Sequence, residues 1–453
     1  MPSSRIRWAL EKLGLDAAIA SVATGRLWTM LAGPVSILLL TTALDPTLQG
    51  YYYAFNSVIA LQVFLELGFA QCIVQFASHE FAKLRFTPSG EVEGDPVAQS
   101  RLLSLIRLSA KWYAVLALLV AAGLLIGGWF FFSAKDQGDA AWQLPWICVV
   151  ASVCLSFMLL PIWAVLEGCN QMKFTGVLRL VISIAGSLVL WAALLGGAKL
   201  FSGAIVSFVS FVIVATTFLI RWRGLWSQAS RSQGDVKISW RREIWPLQWR
   251  IAVTSISGYL TTQILTSLLF QIQGPVLAGK MGATLQLLIA LNTVSVAWTA
   301  TKAPRFSMLV AQGKTTELNR LFATSMWQSV FVCCCGGAAL LACLYFLNGK
   351  LAVIDRFLNV QEAALLLVGT LVFQITSAQG AYLRAHKQEP LMWLSVAIGV
   401  LTTGGVFVLG RLFGTLGVVT AYAAVQLANL AATTAVWRHC KNRWYGRLVP
   451  VDG

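Results

Sequence analysis

Two charged side chains, Arg26 and Glu66, lie deep within long apolar stretches of the sequence. Arg26 stands in the run ATGRLW and Glu66 in the run VFLELGF. A charge in a membrane-spanning helix costs several kcal/mol on insertion scales, so it normally faces protein or a water-filled cavity. Two hypotheses follow: Arg26 and Glu66 form a structural ion pair, or they line a path for a polar ligand.

Amide side chains form a second group of polar residues in the same apolar stretches. Each amide offers both donors and an acceptor, which suits contact with a polar ligand. The alternative for each of them is an interhelical hydrogen bond. Because they concentrate in a few stretches, we predict that they face a cavity: Asn56, Gln62, Gln263, Asn292 and Gln374.

The elements that carry these residues are predicted to be membrane-spanning helices. The chain of 453 residues is 57% hydrophobic and only 11% charged, with a mean hydropathy of +0.72. Soluble proteins carry about 25% charged residues, so most of this surface is predicted to face lipid. Hydropathy predicts an all-α integral membrane protein of about twelve spans, near residues 17–44, 51–77, 108–132, 142–166, 174–195, 200–220, 247–271, 283–309, 321–347, 363–383, 391–409 and 415–437.

The net charge of +16 predicts an orientation in the membrane. Most of the 34 Lys and Arg residues fall in segments that lie on one side when the spans are placed in order. Positive residues concentrate in cytoplasmic loops, so both termini are predicted to be cytoplasmic. This distribution removes the need for nucleic-acid binding, which so basic a soluble protein would suggest.

Five segments follow from the spans and the charges. They are a cytoplasmic amphipathic N-terminal segment (1–16), a first six-helix lobe (17–220), a basic linker (221–246), a second six-helix lobe (247–437) and a basic tail (438–453). The tract TPSGEVEGDP after the second span is predicted to be a mobile insertion. Two lobes in the same orientation predict a transporter with a cavity between them.

Several function classes are disfavoured by what the sequence lacks. It contains no phosphate-binding loop, zinc motif or nucleophile elbow. The predicted external loops are too short for an enzyme domain, so we expect neither catalysis, a cofactor nor a metal. The nine cysteines suggest small apolar helix residues rather than a disulfide framework. Coupling to H⁺ or Na⁺ is left open.

Three stretches resemble a known group of membrane proteins. GYYYAFNSVIALQVFLELGFAQCIVQF in the second span, GKMGATLQLLIALNTVSVAWTATKAPRF in the eighth, and the turn LRAHKQEP after the tenth carry the resemblance. They resemble the polysaccharide-transporter and O-antigen flippase families of the multidrug/oligosaccharidyl-lipid/polysaccharide (MOP) exporter superfamily.

This resemblance implies alternating access by two lobes, which move an undecaprenyl-diphosphate-linked oligosaccharide across the bacterial inner membrane. It further implies that Arg26 holds phosphate, with Lys302 and Arg305 capturing it at the cytoplasmic mouth. Association with polysaccharide assembly machinery is in keeping with such a role. The alternatives are a MATE-like drug/cation antiporter, for which Glu66 is the one deep carboxylate, and a membrane-embedded polysaccharide polymerase or ligase.

Overall fold

The computed structural model describes residues 17–134, 141–231, 238–300, 302–386 and 390–445. Within these ranges the chain is almost entirely α-helical, which confirms the predicted all-α membrane fold. The predicted N-terminal amphipathic segment lies outside the described residues, as do the second half of the basic tail (446–453) and residues 387–389 of the LRAHKQEP turn.

The chain folds into two compact units. Within the described residues the first comprises 17–43 and 58–255, and the second comprises 44–57 and 256–445. The first eight helices in chain order are α1 (Ala17–Ala43), α2 (Pro46–Ile59), α3 (Val63–Glu66), α4 (Phe69–Phe81), α5 (Pro96–Ser133), α6 (Gln143–Phe157), α7 (Leu160–Gly168) and α8 (Met172–Leu195). The remaining helices are α9 (Phe201–Arg221), α10 (Arg223–Arg231), α11 (Trp245–Thr262), α12 (Ile264–Gln273), α13 (Pro275–Ala300), α14 (Ala303–Ala311), α15 (Thr315–Leu347), α16 (Val360–Ala385) and α17 (Met392–Tyr445).

The lengths of these helices agree with the predicted spans. Among the described residues eight helices are long and apolar enough to cross a membrane, or nine if the bent pair Pro46–Glu66 and Phe69–Phe81 is one span. The remaining three of the twelve predicted spans are covered by α1, by α11 with α12, and by the second half of α17, which is interrupted at Gly414 and so holds two predicted spans in all. Within the described residues every predicted span therefore lies mostly in helix.

Exposed apolar side chains of the long helices are typical of a surface that meets lipid. Leu118, Ile220 and Phe331 are 74%, 82% and 69% exposed, although each belongs to a long apolar helix. A monomeric soluble protein rarely exposes apolar surface on this scale. In a bilayer the same side chains lie in hydrocarbon, and the helices satisfy their own backbone hydrogen bonds there.

Helix starts follow local sequence rules. Asp95 accepts the N–H of Val97 at 2.9 Å and precedes Pro96, the first residue of α5. Asn359 and Glu362 form a reciprocal capping box at the start of α16.

The tract TPSGEVEGDP does not form the predicted mobile insertion. It forms part of a hairpin in which β1 (Leu84–Phe86) pairs antiparallel with β2 (Val92–Gly94). The side chain of Gln228 on α10 accepts the Val92 N–H and donates to the Val92 carbonyl, each at 2.9 Å, and Gln99 on α5 donates to the same carbonyl at 2.6 Å. Two amides thus satisfy this strand edge in place of a third strand, and Gln228 fixes the hairpin to the linker helix.

Candidate functional site

A break in the second span is the main irregularity of the first unit. A short 3₁₀ turn (Ala60–Gln62) follows α2, and α3 ends where Leu67 (φ 52°) and Gly68 (φ 66°) adopt left-handed backbone conformations. The helices on either side are bent by 50°. Glycine adopts a left-handed conformation without steric cost, whereas leucine does not. Backbone in this state persists only when its surroundings hold it, and it clusters at functional sites.

Glu66 lies at this break and is held by two donors. The Tyr113 hydroxyl donates to its carboxylate at 3.0 Å, and the N–H of Ala70 in the first turn of α4 donates at 3.4 Å. Tyr113 is fully buried on α5 and stacks on Phe69 with ring centroids 5.9 Å apart. The positive end of the α4 dipole favours a negative charge at this point. The site can hold a carboxylate in fixed geometry while leaving it half-buried.

The structure describes the surroundings of Gln62 but not those of the Arg26 side chain. Arg26 belongs to α1, but its side chain lies outside the described residues, so the ion pair with Glu66 stays a prediction. Gln62 is half-buried one turn before Glu66. Its Oε1 is a buried acceptor with no hydrogen-bond partner among the described residues. An acceptor of this kind is expensive to leave unsatisfied, so a donor from a ligand or water would stabilise it.

A polar seam runs inside the second unit and contains two of the predicted amides. Gln374 on α16 donates to the Ser329 hydroxyl on α15, which in turn donates to the carbonyl of Ser295 on α13 at 2.6 Å. Asn292 lies one turn before Ser295 on the same helix. The Oδ1 of Asn292 and the Oε1 of Gln374 are both buried acceptors without a partner in the described part of the chain. The seam therefore offers acceptors to a ligand that carries hydroxyl or N–H donors.

The two predicted capture cations lie at one end of the second unit. The Lys302 ammonium donates to Gln328 Oε1 at 3.1 Å, and in the described ranges it has no ion pair. Arg305 is exposed and pairs with Glu317 at 2.8 Å. An exposed pair of this kind contributes little to stability, so an anionic ligand can compete for the guanidinium.

Asn56 and Gln263 are exposed on the second unit. Asn56 donates to the carbonyl of Tyr52 on its own helix at 3.0 Å. Gln263 stands at the interruption between α11 and α12, and its backbone carbonyl accepts a hydrogen bond from the Ser57 hydroxyl. That hydroxyl is also 2.7 Å from the Ser267 hydroxyl. Both amides thus keep polar atoms at the surface of their unit.

Sequence reasoning missed the hydroxyl partners of these sites. Tyr113, Ser295 and Ser329 stand in apolar helices, where isolated hydroxyl residues give no local signal of their contacts. It also missed an ion network at the end of the linker. Arg101 binds Glu80 at 2.7 Å and Glu243 at 2.6 Å.

That network attaches the linker end to the first unit. Hydrogen bonds that Arg101 donates to Glu80 and Glu243 raise the pKa of Arg101. The Ser239 N–H and then Arg101 hold the pKa of Glu243 below its usual value, against the effect of burial. The N–H of Ile238 donates to Ser104 on α5 at 3.1 Å. Among the described residues no group of His, Cys, Asp and Glu could hold a metal ion.

Comparison with solved structures finds the same fold at low sequence identity. An inward-facing multidrug resistance transporter of the MATE family, in the MOP superfamily, gives a TM-score of 0.63 at 12% identity and covers 92% of this chain and 97% of its own. The lipid II flippase MurJ, in an inward closed conformation, gives 0.61 at 11% identity over 92% of this chain and 87% of its own. The eukaryotic MATE transporter AtDTX14 gives 0.60 at 13% identity over 95% and 97%.

No protein-family model and no curated protein sequence matches the chain. The structural likeness extends over nearly the full length of each compared protein, so it concerns the whole fold rather than one helical bundle. The chain therefore has the all-α, multi-pass membrane fold shared by the MATE transporters and the lipid II flippase of the MOP superfamily.

Proposed function

We propose that this protein is a flippase or exporter that moves a lipid-linked oligosaccharide, a precursor of polysaccharide or O-antigen, across the bacterial inner membrane by alternating access. The observation that carries the proposal is the fold shared with a lipid II flippase over 92% of the chain. Inner-membrane localisation and cytoplasmic termini are part of the proposal and rest on the distribution of Lys and Arg.

The proposed diphosphate contacts are Arg26, Lys302 and Arg305. Arginine pairs with phosphate through two parallel hydrogen bonds and stays charged at all relevant pH values. Lys302 is available because its observed partner is the amide of Gln328 rather than a carboxylate. Arg305 is available because its partner Glu317 is 46% exposed and the pair is weak.

The proposed sugar contacts are the amides with unsatisfied or exposed polar atoms. Gln62, Asn292 and Gln374 each have a buried oxygen that lacks a donor within the described residues. Sugar hydroxyls supply donors, and a site whose polar groups are paired only when the sugar is bound rejects cargo without hydroxyls. The exposed amides of Asn56 and Gln263 are proposed to contribute less.

A second candidate function is drug/cation antiport of the MATE type. Glu66 favours it, because a carboxylate at a helix break, held by Tyr113 and the start of α4, could bind a proton or Na⁺ during transport. Several of the similar structures are MATE transporters. The Glu66 carboxylate by itself gives no reason to prefer an oligosaccharide as the transported molecule.

One reconstitution separates the two functions. Purified protein in proteoliposomes is given a fluorescent undecaprenyl-diphosphate oligosaccharide, and the fraction protected from a membrane-impermeant quencher is followed over time. Parallel vesicles contain ethidium and carry a pH or Na⁺ gradient. The matched variants are Arg305→Gln and Arg320→Gln, since Arg320 is another exposed arginine nearby on α15.

We expect flipping of the lipid-linked probe, slowed by Arg305→Gln and unchanged in Arg320→Gln. Gradient-driven ethidium movement without flipping would establish the antiporter instead. If the vesicles show neither activity while the protein is folded and inserted, both functions are rejected.

A further inference from the structure

A cavity of about 320 Å³ in the second unit lies apart from every residue assigned above. It is lined by Pro46, Gln49, Val276, Lys280, Ala352, Asp355 and Arg356. The loop between α15 and α16 supplies the last three of these residues. The orientation predicted from Lys and Arg puts this end on the extracytoplasmic side. Its volume is near the lower limit of small-molecule sites, which suits a group of a few heavy atoms.

Gln49 lines this cavity, and its side-chain oxygen lacks a hydrogen-bond donor in the described part of the chain. Its side chain is 1% exposed, and its Nε2 donates to the carbonyls of Gly279 at 3.1 Å and Arg356 at 3.2 Å. These two bonds fix the direction of the amide, so its oxygen has a defined position. That Oε1 is buried and has no partner in the described part of the chain. A ligand that fits must therefore present a donor to it, such as a hydroxyl group.

Arg356 adds an unsatisfied donor on the same cavity. Its Nη1 is buried without a hydrogen-bond partner, again within the described residues. Neither Arg356 nor Lys280 forms a salt bridge within 4 Å among those residues, although Lys280 interacts electrostatically with Glu362 at the start of α16. Two cations at one small cavity repel each other unless an anion lies between them.

The backbone around the cavity also favours an anion. Val276 lies in the first turn of α13, so the positive end of that helix dipole faces the cavity, whereas the start of α2 at Pro46 is already capped by the Asp45 carboxylate, which accepts the Leu48 N–H at 2.8 Å. The two helices are closely packed here, because a Cβ on Gly50 would lie 1.9 Å from the carbonyl oxygen of Pro275. The acidic lining residue, Asp355, is exposed, so water screens its charge.

We propose that this cavity binds a phosphate that carries a neighbouring hydroxyl group, with Arg356 and Lys280 on the phosphate oxygens and Gln49 Oε1 accepting the hydroxyl. Arginine is suited to phosphate through its planar set of donors. Two sources carry this chemistry: the headgroup of a glycerol-based anionic lipid, and a soluble polyol phosphate. The site is independent of the proposed transport function, because none of its residues belongs to the residues assigned there.

The test measures binding to the purified full-length protein. Isothermal titration uses sn-glycerol 3-phosphate and, for comparison, ethyl phosphate, which lacks the hydroxyl. Native mass spectrometry from mixed nanodiscs measures retained phosphatidylglycerol against phosphatidylethanolamine. The variants are Arg356→Gln and Lys280→Gln, with Lys350→Gln as the matched control, because Lys350 is an exposed cation of the same loop region outside the cavity. Thermal unfolding by tryptophan fluorescence checks that each variant is folded.

We expect Arg356→Gln to weaken binding about tenfold or more, since bonds to charged groups are the strong ones. Lys350→Gln should stay within about twofold of the parent protein on the same scale. A higher affinity for glycerol 3-phosphate than for ethyl phosphate supports a soluble source. Retention of phosphatidylglycerol without binding of glycerol 3-phosphate supports the lipid. If folded protein binds neither probe, or if Arg356→Gln and Lys280→Gln bind as well as Lys350→Gln, the proposal is wrong.

Discussion

Replacing Gly68 by alanine tests whether the break in the second span is held by tertiary packing. Gly68 has φ +66°, and a Cβ there would lie 2.3 Å from Cγ2 of Ile251. The left-handed conformation costs an alanine about 1–2 kcal/mol. The overlap with Ile251 costs about 1–3 kcal/mol if it is relieved as in other overpacked cores. Together we expect Gly68→Ala to lower the free energy of unfolding by about 2–5 kcal/mol.

The two contributions are separable in a double-mutant cycle. Ile251→Ala removes Cγ2, so in that background only the backbone cost of Gly68→Ala should remain, about 1–2 kcal/mol. Gly404→Ala is the control, because Gly404 is helical and a Cβ there has nothing within 4 Å. Alanine at such a helical position is neutral or stabilising by up to about 1 kcal/mol.

The measurement is reversible unfolding in mixed micelles with increasing sodium dodecyl sulfate, followed by tryptophan fluorescence. Gly68→Ala should also slow transport, because the break positions Glu66 against Tyr113 and Ala70. The reasoning is refuted if Gly68→Ala costs less than about 1 kcal/mol. It is refuted equally if the cost is the same with and without Ile251→Ala, since the close contact would then be absent.

Three further predictions concern single charges and their partners. Arg26→Ala should abolish surface polysaccharide while the protein remains folded and inserted, whereas Arg26→Lys should keep part of the activity. Normal export by Arg26→Ala in a complementation assay would contradict the phosphate role of Arg26. Glu66→Gln should abolish gradient-driven ethidium movement if antiport is the function, and it should leave downhill flipping measurable because the amide still accepts the Tyr113 hydroxyl at 3.0 Å. Glu243 has a pKa below its usual value in the folded protein, so its contribution to stability is complete above the ordinary carboxyl range and is lost as pH falls through the lowered pKa. In thermal unfolding from pH 7 downwards, the melting temperature should therefore fall less for Glu243→Gln than for the parent protein. Equal decreases in melting temperature would show that Glu243 does not contribute through the network.

Hydropathy predicted the helices well because helix formation in lipid depends on the local sequence. A backbone in lipid must satisfy its own hydrogen bonds, so any apolar stretch of sufficient length becomes helix. The same reasoning failed for TPSGEVEGDP, whose Pro, Gly and acidic residues predict a loop. The tract closes its own turn, because the Thr87 N–H donates to the Glu91 carbonyl at 2.9 Å, and Gln228, far away in the chain, then bonds both backbone groups of Val92. The turn is local, but no feature of the tract indicates that Gln228 anchors it.

The candidate site was predictable only as a set of polar residue types. Charged and amide residues stand out in apolar helices, which is why Glu66, Gln62, Asn292 and Gln374 could be named. Their contacts could not be predicted, since a hydroxyl residue in a helix gives no sign of what it faces. Tyr113 and Ser329 became part of the argument only through their observed bonds to Glu66 and Gln374.

The sequence by itself determined that the chain is an all-α membrane protein, because composition and apolar length act residue by residue along the chain. The tertiary structure alone decided which polar atoms meet. The short segment 44–57 folds with the second unit, where Gln49 reaches Gly279, 230 positions away, and Arg356, 307 positions away. Such contacts depend on how helices pack, and the residues at each end have no local property that selects the other. For that reason the break at Glu66, the polar seam and the cavity at Gln49 were visible only once the helices were assembled.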